Sequence, residues 1–267
     1  MPELPEVETI KRDLEKVLLG RRIKEVIVNS KKVIKQPVSV QEFRKKLIGN
    51  SFKEVLRRGK VLIFKLKEKL YLVIHLRISG WILFGNQEEN ARVVFVLDNN
   101  KHLNYMDTRL LGELRVVSDY TTLNFIKQLG PEIFDMNLEE FKNMIKKKKK
   151  KIKVLLMDQS FIAGIGNIYS AETLFRAKIK PTRLASSLND KEITSLFNSI
   201  KEVLQEAIKF RGSSVDSYRD IEGREGKMEE RLKVYGRENK PCFVCKTPIK
   251  RIELGGRGTY FCPHCQR

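Results

Sequence analysis

Four cysteines near the end of the chain constrain its fold more than any other feature. They form two pairs, Cys242-x2-Cys245 and Cys262-x2-Cys265, separated by sixteen residues. Each pair offers two thiolates to one tetrahedral ion, and the spacer has room for a β-hairpin with strands PIKRIEL and GTYFCP. The pattern predicts a ribbon that holds one structural Zn²⁺ ion. Four sulfurs fill the ion's coordination, so we expect no catalytic role for it, and His264 is expected to be a bystander.

The net charge of the chain points to a polyanionic partner. The 267 residues include 53 Lys and Arg against 33 Asp and Glu, which gives +20. A charge of this size favours nucleic acid, with a membrane surface as the other polyanion. The alternative is a lysine-rich surface that is merely solvated. A four-cysteine ribbon on such a basic chain strengthens the nucleic-acid interpretation.

Hydrophobic residues make up 41% of the chain, which is enough for packed cores. No run approaches 18 apolar residues, and the start lacks the apolar segment of a targeting signal. We therefore expect a soluble cytoplasmic protein with no membrane association.

The first residues, MPELPEVET, predict the start of a helix over 4–19. Apolar residues recur at helical spacing, Pro5 suits a first helical turn, and Glu6 suits the positive end of the helix dipole. Gly20 is a plausible stop.

The periodicity of the chain changes twice. Residues 21–118 contain β-rich runs separated by turn signals, with one short helix expected at 39–48, which favours an antiparallel sandwich or barrel. From about 120 the apolar spacing becomes helical, ending with a long amphipathic helix that Gly212 closes. The polar stretch 213–231 is expected to be a long loop. The six lysines at 146–151 lie inside a helical pattern and are equally consistent with a solvated helix face and with phosphate contact.

Three motifs together resemble one family of proteins. MPELPEVET at the start, FIAGIGNIYSAETLF at 161–175, and the C-terminal ribbon with Arg257 on its hairpin resemble the bacterial formamidopyrimidine-DNA glycosylases (Fpg, or MutM). The resemblance spans essentially the whole chain. It implies an α+β multidomain fold: an N-terminal helix on an antiparallel β-sandwich (1–119), a helix–two-turn–helix DNA-binding domain with a lesion-covering loop (120–232), and a zinc finger (233–267).

The resemblance also implies an activity and its residues. Such enzymes excise 8-oxoguanine and formamidopyrimidines from duplex DNA and then cut the abasic strand by β,δ-elimination. Met1 would be removed so that the secondary amine of Pro2 attacks C1′, with Glu3 as acid/base and Glu6 in support. Lys60 matches the lysine assigned to β-elimination, and Arg257 matches the arginine assigned to δ-elimination.

DNA-contacting residues follow from the same resemblance. His75, Asn167 and Lys153 match residues that contact the DNA backbone, and Lys148 is a weaker candidate. A lone strand histidine is more often structural, and only the motif around His75 reverses that interpretation. The implied partner is damaged double-stranded DNA, bound by a monomer at the bacterial nucleoid.

The residues that fill the gap left by a flipped base depart from the family pattern. Arg109 matches the arginine that faces the orphaned cytosine. Ile78 stands where methionine is usual and Leu111 where phenylalanine is usual, and both remain apolar wedges. Asn90 stands near the position of a usual DNA-contacting histidine, and Thr108 and Leu110 also differ. These departures predict a divergent paralogue with its own lesion range or opposite-base preference.

Two other functions stay open at this point. One is a glycosylase for oxidised pyrimidines, like the Nei branch of the superfamily. The other is a catalytically silent protein that binds lesions or abasic sites. The joint presence of Pro2, Glu3, Lys60 and Arg257 argues against the silent protein.

Overall fold

A computed structural model describes residues 2–215 and 218–267. Met1, whose removal the sequence predicts, and residues 216–217 of the predicted 213–231 loop lie outside the described residues. The chain divides into two compact units. Unit 1 comprises Met1–Lys127 and Phe210–Glu229, and unit 2 comprises Gln128–Lys209 and Glu230–Arg267.

Unit 1 begins with helix α1 (Leu4–Leu18), which confirms the predicted helix to within one residue. Its apolar stripe, including Val7, Ile10 and Leu14, is completely buried. Pro5 occupies the first turn, where a missing N–H breaks no helical hydrogen bond. Gly20 follows with φ +79°, a left-handed conformation that suits glycine after a helix.

Two sheets form the rest of the unit 1 core. Their strands are β1 (Ile23–Val28), β2 (Ile34–Gln36), β3 (Glu54–Arg58), β4 (Val61–Lys67), β5 (Leu70–His75), β6 (Gly80–Gly85), β7 (Val93–Leu97), β8 (His102–Asp107) and β9 (Glu113–Val117). The four-stranded sheet has the order β1-β7-β8-β6 and the five-stranded sheet β2-β9-β5-β4-β3. One apolar cluster contains residues of α1 and of both sheets, so the predicted sandwich with an N-terminal helix is confirmed.

Two smaller elements of unit 1 also bear on the predictions. Helix α2 (Val40–Leu47) confirms the helix expected at 39–48. Strand β2 was not predicted and pairs in parallel with β9, so the sheets are antiparallel except at this edge. Helix α3 (Asn124–Lys127) ends the first segment of the unit.

Two connections of unit 1 pass from one sheet to the other. The chain crosses between β5 and β6 at 76–79, and between β8 and β9 at 108–112. Gly80 pairs with Asp107 in one sheet, and His75 pairs with Glu113 in the other. These two register pairs bracket both connections, so the first crossover (76–79) and the second crossover (108–112) lie side by side.

Unit 2 is helical before its C-terminal hairpin. Its helices are α4 (Leu138–Lys146), α5 (Ile152–Met157), α6 (Asn167–Arg176) and α7 (Asp190–Lys209). The buried face of α7 carries the predicted apolar residues, among them Ile193, Leu196 and Ile200. No helix among residues 2–215 and 218–267 is long and apolar enough to cross a membrane.

The lysine run corrects one prediction. The sequence pattern continues helically through it, but the structure ends α4 at Lys146 and begins α5 at Ile152. Carbonyls of the run accept outside hydrogen bonds: Ser186 donates to Lys148 and Ala185 to Lys150. Like charges at i,i+4 spacing oppose a helix there, and these partners satisfy the freed carbonyls.

The chain ends in the predicted ribbon. Strands β10 (Lys250–Leu254) and β11 (Arg257–Phe261) pair antiparallel. Gly255 and Gly256 join them with φ of +60° and +69°, the pattern of a tight hairpin turn that needs glycine. A Cβ on Gly255 would lie 3.0 Å from a Val154 methyl, so the turn packs closely against α5.

Candidate active site and nucleic-acid interface

Glu3 and Glu6 form a buried pair of carboxylates at the start of α1. Each is 2% exposed, and Pro2 directly before them is also buried. The two glutamates make a capping box, in which the Glu3 N–H donates to Glu6 Oε2 at 2.8 Å. The cap fixes the entry of the chain into the helix, so the segment that carries Pro2 is held in one position.

Lys60 places a cation against this pair. Gly59 and Lys60 form the turn between β3 and β4, and Gly59 has φ +56°. The Lys60 side chain is 7% exposed. Burial lowers its pKa, while the charges of Glu3 and Glu6 oppose that shift. A buried amine with a lowered pKa, facing two carboxylates, has the environment of a proton-transfer site.

Described residues at and around the 213–231 segment contact α1. The backbone N–H of Ser213 donates to Glu6 Oε1 at 2.8 Å. The Arg211 guanidinium contacts both Asp13 of α1 and Asp220 of the segment. Burial by itself raises the pKa of Asp220, but hydrogen bonds from Arg211 and Arg224 outweigh it and lower that pKa. Glu6 therefore joins the catalytic candidates to the predicted covering loop.

His75 ends β5 as a neutral donor. Its Nδ1 accepts a hydrogen bond from the Arg77 backbone N–H at 3.1 Å, which leaves the ring proton on Nε2. Burial and then the nearby Arg77 charge lower its pKa to about 3. A neutral Nε2–H suits a phosphate oxygen as acceptor, in keeping with the predicted backbone contact.

The two crossovers bring the predicted wedge residues together. Ile78 lies in the first crossover and is 40% exposed, and Leu111 lies in the second and is 46% exposed. Arg109, also exposed, shares the second crossover. Exposed aliphatic side chains on neighbouring tips are the geometry that insertion into a base stack requires.

In unit 2, Lys153 and Asn167 form a polar chain that leads to the hairpin. Lys153 is completely buried, and its Nζ donates to Asn167 Oδ1 at 2.6 Å. An ammonium only donates, so the Asn167 amide nitrogen faces the other way, towards the Gly258 carbonyl at 3.1 Å. Lys153 thus lies behind Asn167 at the start of α6, and its predicted contact with DNA stays a prediction.

Arg257 and Lys148 are both exposed. Arg257 is the first residue of β11, next to the Gly258 that Asn167 contacts, so these two candidates lie in one region of unit 2. Lys148 lies in the irregular segment between α4 and α5.

The four cysteines fit a tetrahedral metal ion. Their Sγ atoms all lie within 4.8 Å of one another, with 4.0 Å between Cys242 and Cys265 and 3.4 Å between Cys245 and Cys262. Zn–S bonds of about 2.3 Å in a tetrahedron require S–S separations of about 3.8 Å. Four thiolates of this spacing hold Zn²⁺ with no open position, so the ion supplies stability to the ribbon.

Comparison with known families covers most of the chain. The N-terminal domain of formamidopyrimidine-DNA glycosylase matches residues 1–114, and the H2TH domain of the same enzyme matches residues 129–219. The zinc finger found in FPG and IleRS matches residues 239–267. The chain belongs to the formamidopyrimidine-DNA glycosylase family. The predicted resemblance is therefore confirmed.

Relatives in this family match from end to end. A formamidopyrimidine-DNA glycosylase of Listeria innocua is 39% identical over 275 residues, covering 100% of both chains. One of Desulforamulus reducens is 42% identical over 276 residues, covering 100% of this chain and 99% of its own.

Solved structures in the family show the same fold. A mutant FPG of Lactococcus lactis, crystallised with a Fapy-dG containing DNA, superposes with a TM-score of 0.92 at 35% identity over 100% of both chains. MutM (FPG) of Thermus thermophilus gives a TM-score of 0.90 at 37% identity, over 99% of this chain and 98% of that one. The predicted fold class and the single structural zinc ion are confirmed.

Two buried acids in this formamidopyrimidine-DNA glycosylase homologue escaped the sequence reasoning. Asp107 is 1% exposed and lies between the two crossovers. Glu172 of α6 is 4% exposed and accepts the backbone N–H groups of residues 233–235, at 2.8–3.0 Å. Burial raises the Glu172 pKa although these hydrogen bonds oppose it. One signal in the sequence could have revealed Glu172: it is an acidic residue on the apolar face of a predicted helix.

Proposed function

We propose that the protein is a base-excision DNA glycosylase and abasic-site lyase that removes oxidised purines from duplex DNA. The observation that carries this proposal is the buried cluster of Glu3, Glu6 and Lys60 directly behind Pro2. Homologues of the same family and length are named formamidopyrimidine-DNA glycosylases, and solved relatives hold Fapy-dG and 8-oxo-G containing DNA.

Pro2 serves as the nucleophile once Met1 has been removed. Its secondary amine attacks C1′ of the damaged nucleotide, and the C1′–N bond to the base breaks with the electron pair leaving on the base. The departing base takes up the proton that the amine loses. Glu3 donates a proton to the deoxyribose ring oxygen as the ring opens, which leaves an iminium between Pro2 and C1′. The iminium withdraws electrons and acidifies the C2′ proton.

Strand cleavage follows from that intermediate. Lys60 accepts or relays the C2′ proton, and the 3′-phosphate leaves with the C3′–O electron pair. Arg257 acts in the second elimination, in which the 5′-phosphate leaves. His75 and Asn167 bind backbone phosphates, and the 213–231 loop covers the extruded base while Glu6 holds it to α1.

The surroundings of the site complete the proposal. The zinc finger residues 233–267, the helical residues 120–232 and the N-terminal residues 1–119 act as three functional domains. The protein works as a monomer in the cytoplasm, on nucleoid DNA, without a membrane partner.

Borohydride trapping tests the proposal. The enzyme is incubated with an abasic duplex or an 8-oxoguanine duplex and reduced, and the covalent protein–DNA product is measured. The wild type should trap, and Pro2→Gly combined with Glu3→Gln should not. Absence of trapping by the wild type, or unreduced trapping by the double variant, would contradict the proposal.

The same assay compares lesions. Ile78 and Leu111 depart from the family pattern at the wedge, and this departure bears on which lesions are accepted. The panel therefore includes thymine glycol beside 8-oxoguanine. Faster excision of thymine glycol would assign the protein to oxidised pyrimidines instead. Binding without any cleavage would assign it to the class of silent lesion-binding proteins.

A further inference from the structure

Asp107 is a buried carboxylate surrounded by donors. It is the last residue of β8 and is 1% exposed. Its two oxygens accept hydrogen bonds from Gly112 N (2.7 Å), Leu110 N (3.0 Å), Arg109 N (3.2 Å), Ser79 Oγ (2.5 Å) and Tyr105 Oη (3.2 Å). One side chain thus satisfies three backbone N–H groups of the second crossover.

These hydrogen bonds connect the two crossovers. Ser79 belongs to the first crossover and lies directly after Ile78, whereas the three backbone donors surround Leu111 in the second. Because Asp107 bonds to both segments, the base of the Ile78 tip and the base of the Leu111 tip share one fixed acceptor. Both tips themselves point out of the core, with 40% and 46% of their side chains exposed.

The backbone on both sides of Asp107 is strained. Arg77 has φ +54° and Leu110 has φ +56°, and each directly precedes a wedge residue. Non-glycine residues adopt this conformation only where the surroundings impose it, and such positions cluster at functional sites. The Leu110 N–H is held by Asp107, and a Cβ on Gly112 would lie 1.7 Å from Tyr105 Oη. The second crossover is therefore confined from both sides.

We propose that Asp107 is a positioning residue that joins the two crossovers into one rigid wedge. Ile78 and Leu111 then enter the gap beside a flipped nucleotide together, and Arg109 is held towards the base that has lost its partner. This inference rests on the proposed glycosylase function. A preorganised wedge needs no ordering of its tips when DNA binds, which favours base extrusion.

Two variants separate the halves of the wedge. Asp107→Asn replaces one acceptor oxygen by an NH2 group that opposes the backbone donors, so it loosens the second crossover and its link to the first. Ser79→Ala removes only the hydroxyl that links the first crossover to Asp107. Asp119→Asn is the control, since Asp119 also accepts a backbone N–H, from Thr121, but lies outside both crossovers, beyond the end of β9.

Three measurements are made on each full-length protein. Borohydride trapping on an abasic duplex reports the chemistry and the fold. Single-turnover excision of 8-oxoguanine opposite cytosine and opposite adenine reports base extrusion and opposite-base choice. The fluorescence of 2-aminopurine next to the lesion reports unstacking.

We expect all three variants to trap abasic DNA as the wild type does. Ser79→Ala should slow excision and unstacking about tenfold while it keeps the wild-type preference for the opposite base. Asp107→Asn should slow both by about tenfold or more and should also lower the preference for cytosine over adenine, because Arg109 is no longer held in place. Asp119→Asn should match the wild type throughout.

Three results would overturn the inference. If Ser79→Ala and Asp107→Asn excise 8-oxoguanine as fast as the wild type and keep its preference for the opposite base, Asp107 does not position the wedge. An equal loss of trapping and excision in Ser79→Ala would indicate general destabilisation. If Asp107→Asn does not fold, the Ser79→Ala variant alone decides. Unstacking by Ser79→Ala at the wild-type rate would then contradict the inference. Failure of the wild type itself to trap would instead refute the proposed function.

Discussion

At the scale of single residues, Lys60 combines burial with two carboxylate neighbours. Burial favours the neutral amine and lowers its pKa, and the charges of Glu3 and Glu6 restrain that shift. Burial therefore makes this amine easier to deprotonate than that of an ordinary exposed lysine, which suits a group that takes part in proton transfer.

Lys60→Arg removes this capacity because a guanidinium keeps its proton at any pH a protein tolerates. We expect strand cleavage to slow about a hundredfold, a loss in the range of general acid–base catalysis, while borohydride trapping persists. The measurement is the ratio of cleaved to trapped product in single turnover, for wild type and variant. An unchanged ratio would exclude Lys60 from the elimination step.

His75 makes the stability of the protein depend on pH. Its pKa in the fold is about 3, against about 6.5 in an unfolded chain. Between these values the unfolded chain binds the extra proton, so His75 opposes folding more and more as pH falls below about 6.5. The free energy of unfolding of His75→Gln should fall less steeply than that of the wild type from pH 7 to pH 4. Urea unfolding at several pH values measures both slopes, and parallel curves would contradict the assignment.

At the scale of elements, Asp220 is the anchor of the 213–231 segment. It is 2% exposed and accepts the N–H groups of Glu222 and Arg224 together with the Arg211 guanidinium. Through Arg211 the residues around Asp220 reach Asp13 of α1, so one buried carboxylate anchors this described part of the segment.

Asp220→Ala removes the acceptor of the Glu222 and Arg224 backbone N–H groups and one of the two carboxylates that Arg211 contacts. A donor left unsatisfied in this way costs about 1–3 kcal/mol. We expect trypsin to cleave after Arg224 at least several times faster, as measured by mass spectrometry of the fragments. The anchor should also weaken in acid, since a carboxylate with a lowered pKa loses its stabilising effect as pH falls through that pKa. Glu229→Ala removes an exposed carboxylate of the same segment that touches neither arginine, and it should leave the rate unchanged.

Glu172 performs a similar task in unit 2. Its carboxylate accepts the N–H groups of Lys233, Val234 and Tyr235 and so holds the segment that leads into the ribbon against α6. Glu172→Gln replaces one acceptor oxygen by a donor, which opposes a backbone N–H. We expect a chelator to remove zinc several times faster from this variant, as followed with a metal-sensitive dye. Glu202→Gln on α7 is the exposed control, and equal rates for both variants would contradict the role.

At the scale of the whole molecule, the +20 charge sets how the protein meets DNA. Lys146 and Lys150 of the lysine run pair with Asp190 and Asp158, while Lys147, Lys148 and Lys149 are exposed. The break between α4 and α5 places these three in an irregular segment, where their side chains are exposed to a phosphate backbone.

Replacing Lys147, Lys148 and Lys149 by Gln should make the salt dependence of DNA binding less steep. Each lysine that contacts a phosphate contributes about 0.9 to the slope of log Kd against log salt. The control replaces the exposed Lys31, Lys32 and Lys35 by Gln, which removes the same three charges, and should keep the wild-type slope. Equal slopes for both variants would show that the run is a solvated face.

Most of the architecture followed from local patterns. Helical spacing gave α1 and α7, β-rich runs between turn signals gave most strands of the sandwich, and cysteine spacing gave the ribbon. Local sequence patterns gave the wrong secondary structure where hydrogen-bond partners distant in the chain determined it. β2 has only three residues and exists because β9 pairs with it, and the lysine run leaves its helix because Ala185 and Ser186 bond to its carbonyls.

The sequence by itself determined the zinc ribbon and the family resemblance. The four cysteines are recognisable from residue type and spacing, and Pro2, Glu3, Lys60 and Arg257 are candidates because they match motifs of the family. Only the tertiary structure decided how they are held. The burial of Lys60 against two glutamates, the attachment of the loop to Glu6, and the junction of two crossovers at Asp107 depend on contacts between distant segments. Such contacts leave no periodic trace in the chain, because a single buried polar side chain follows no repeating pattern.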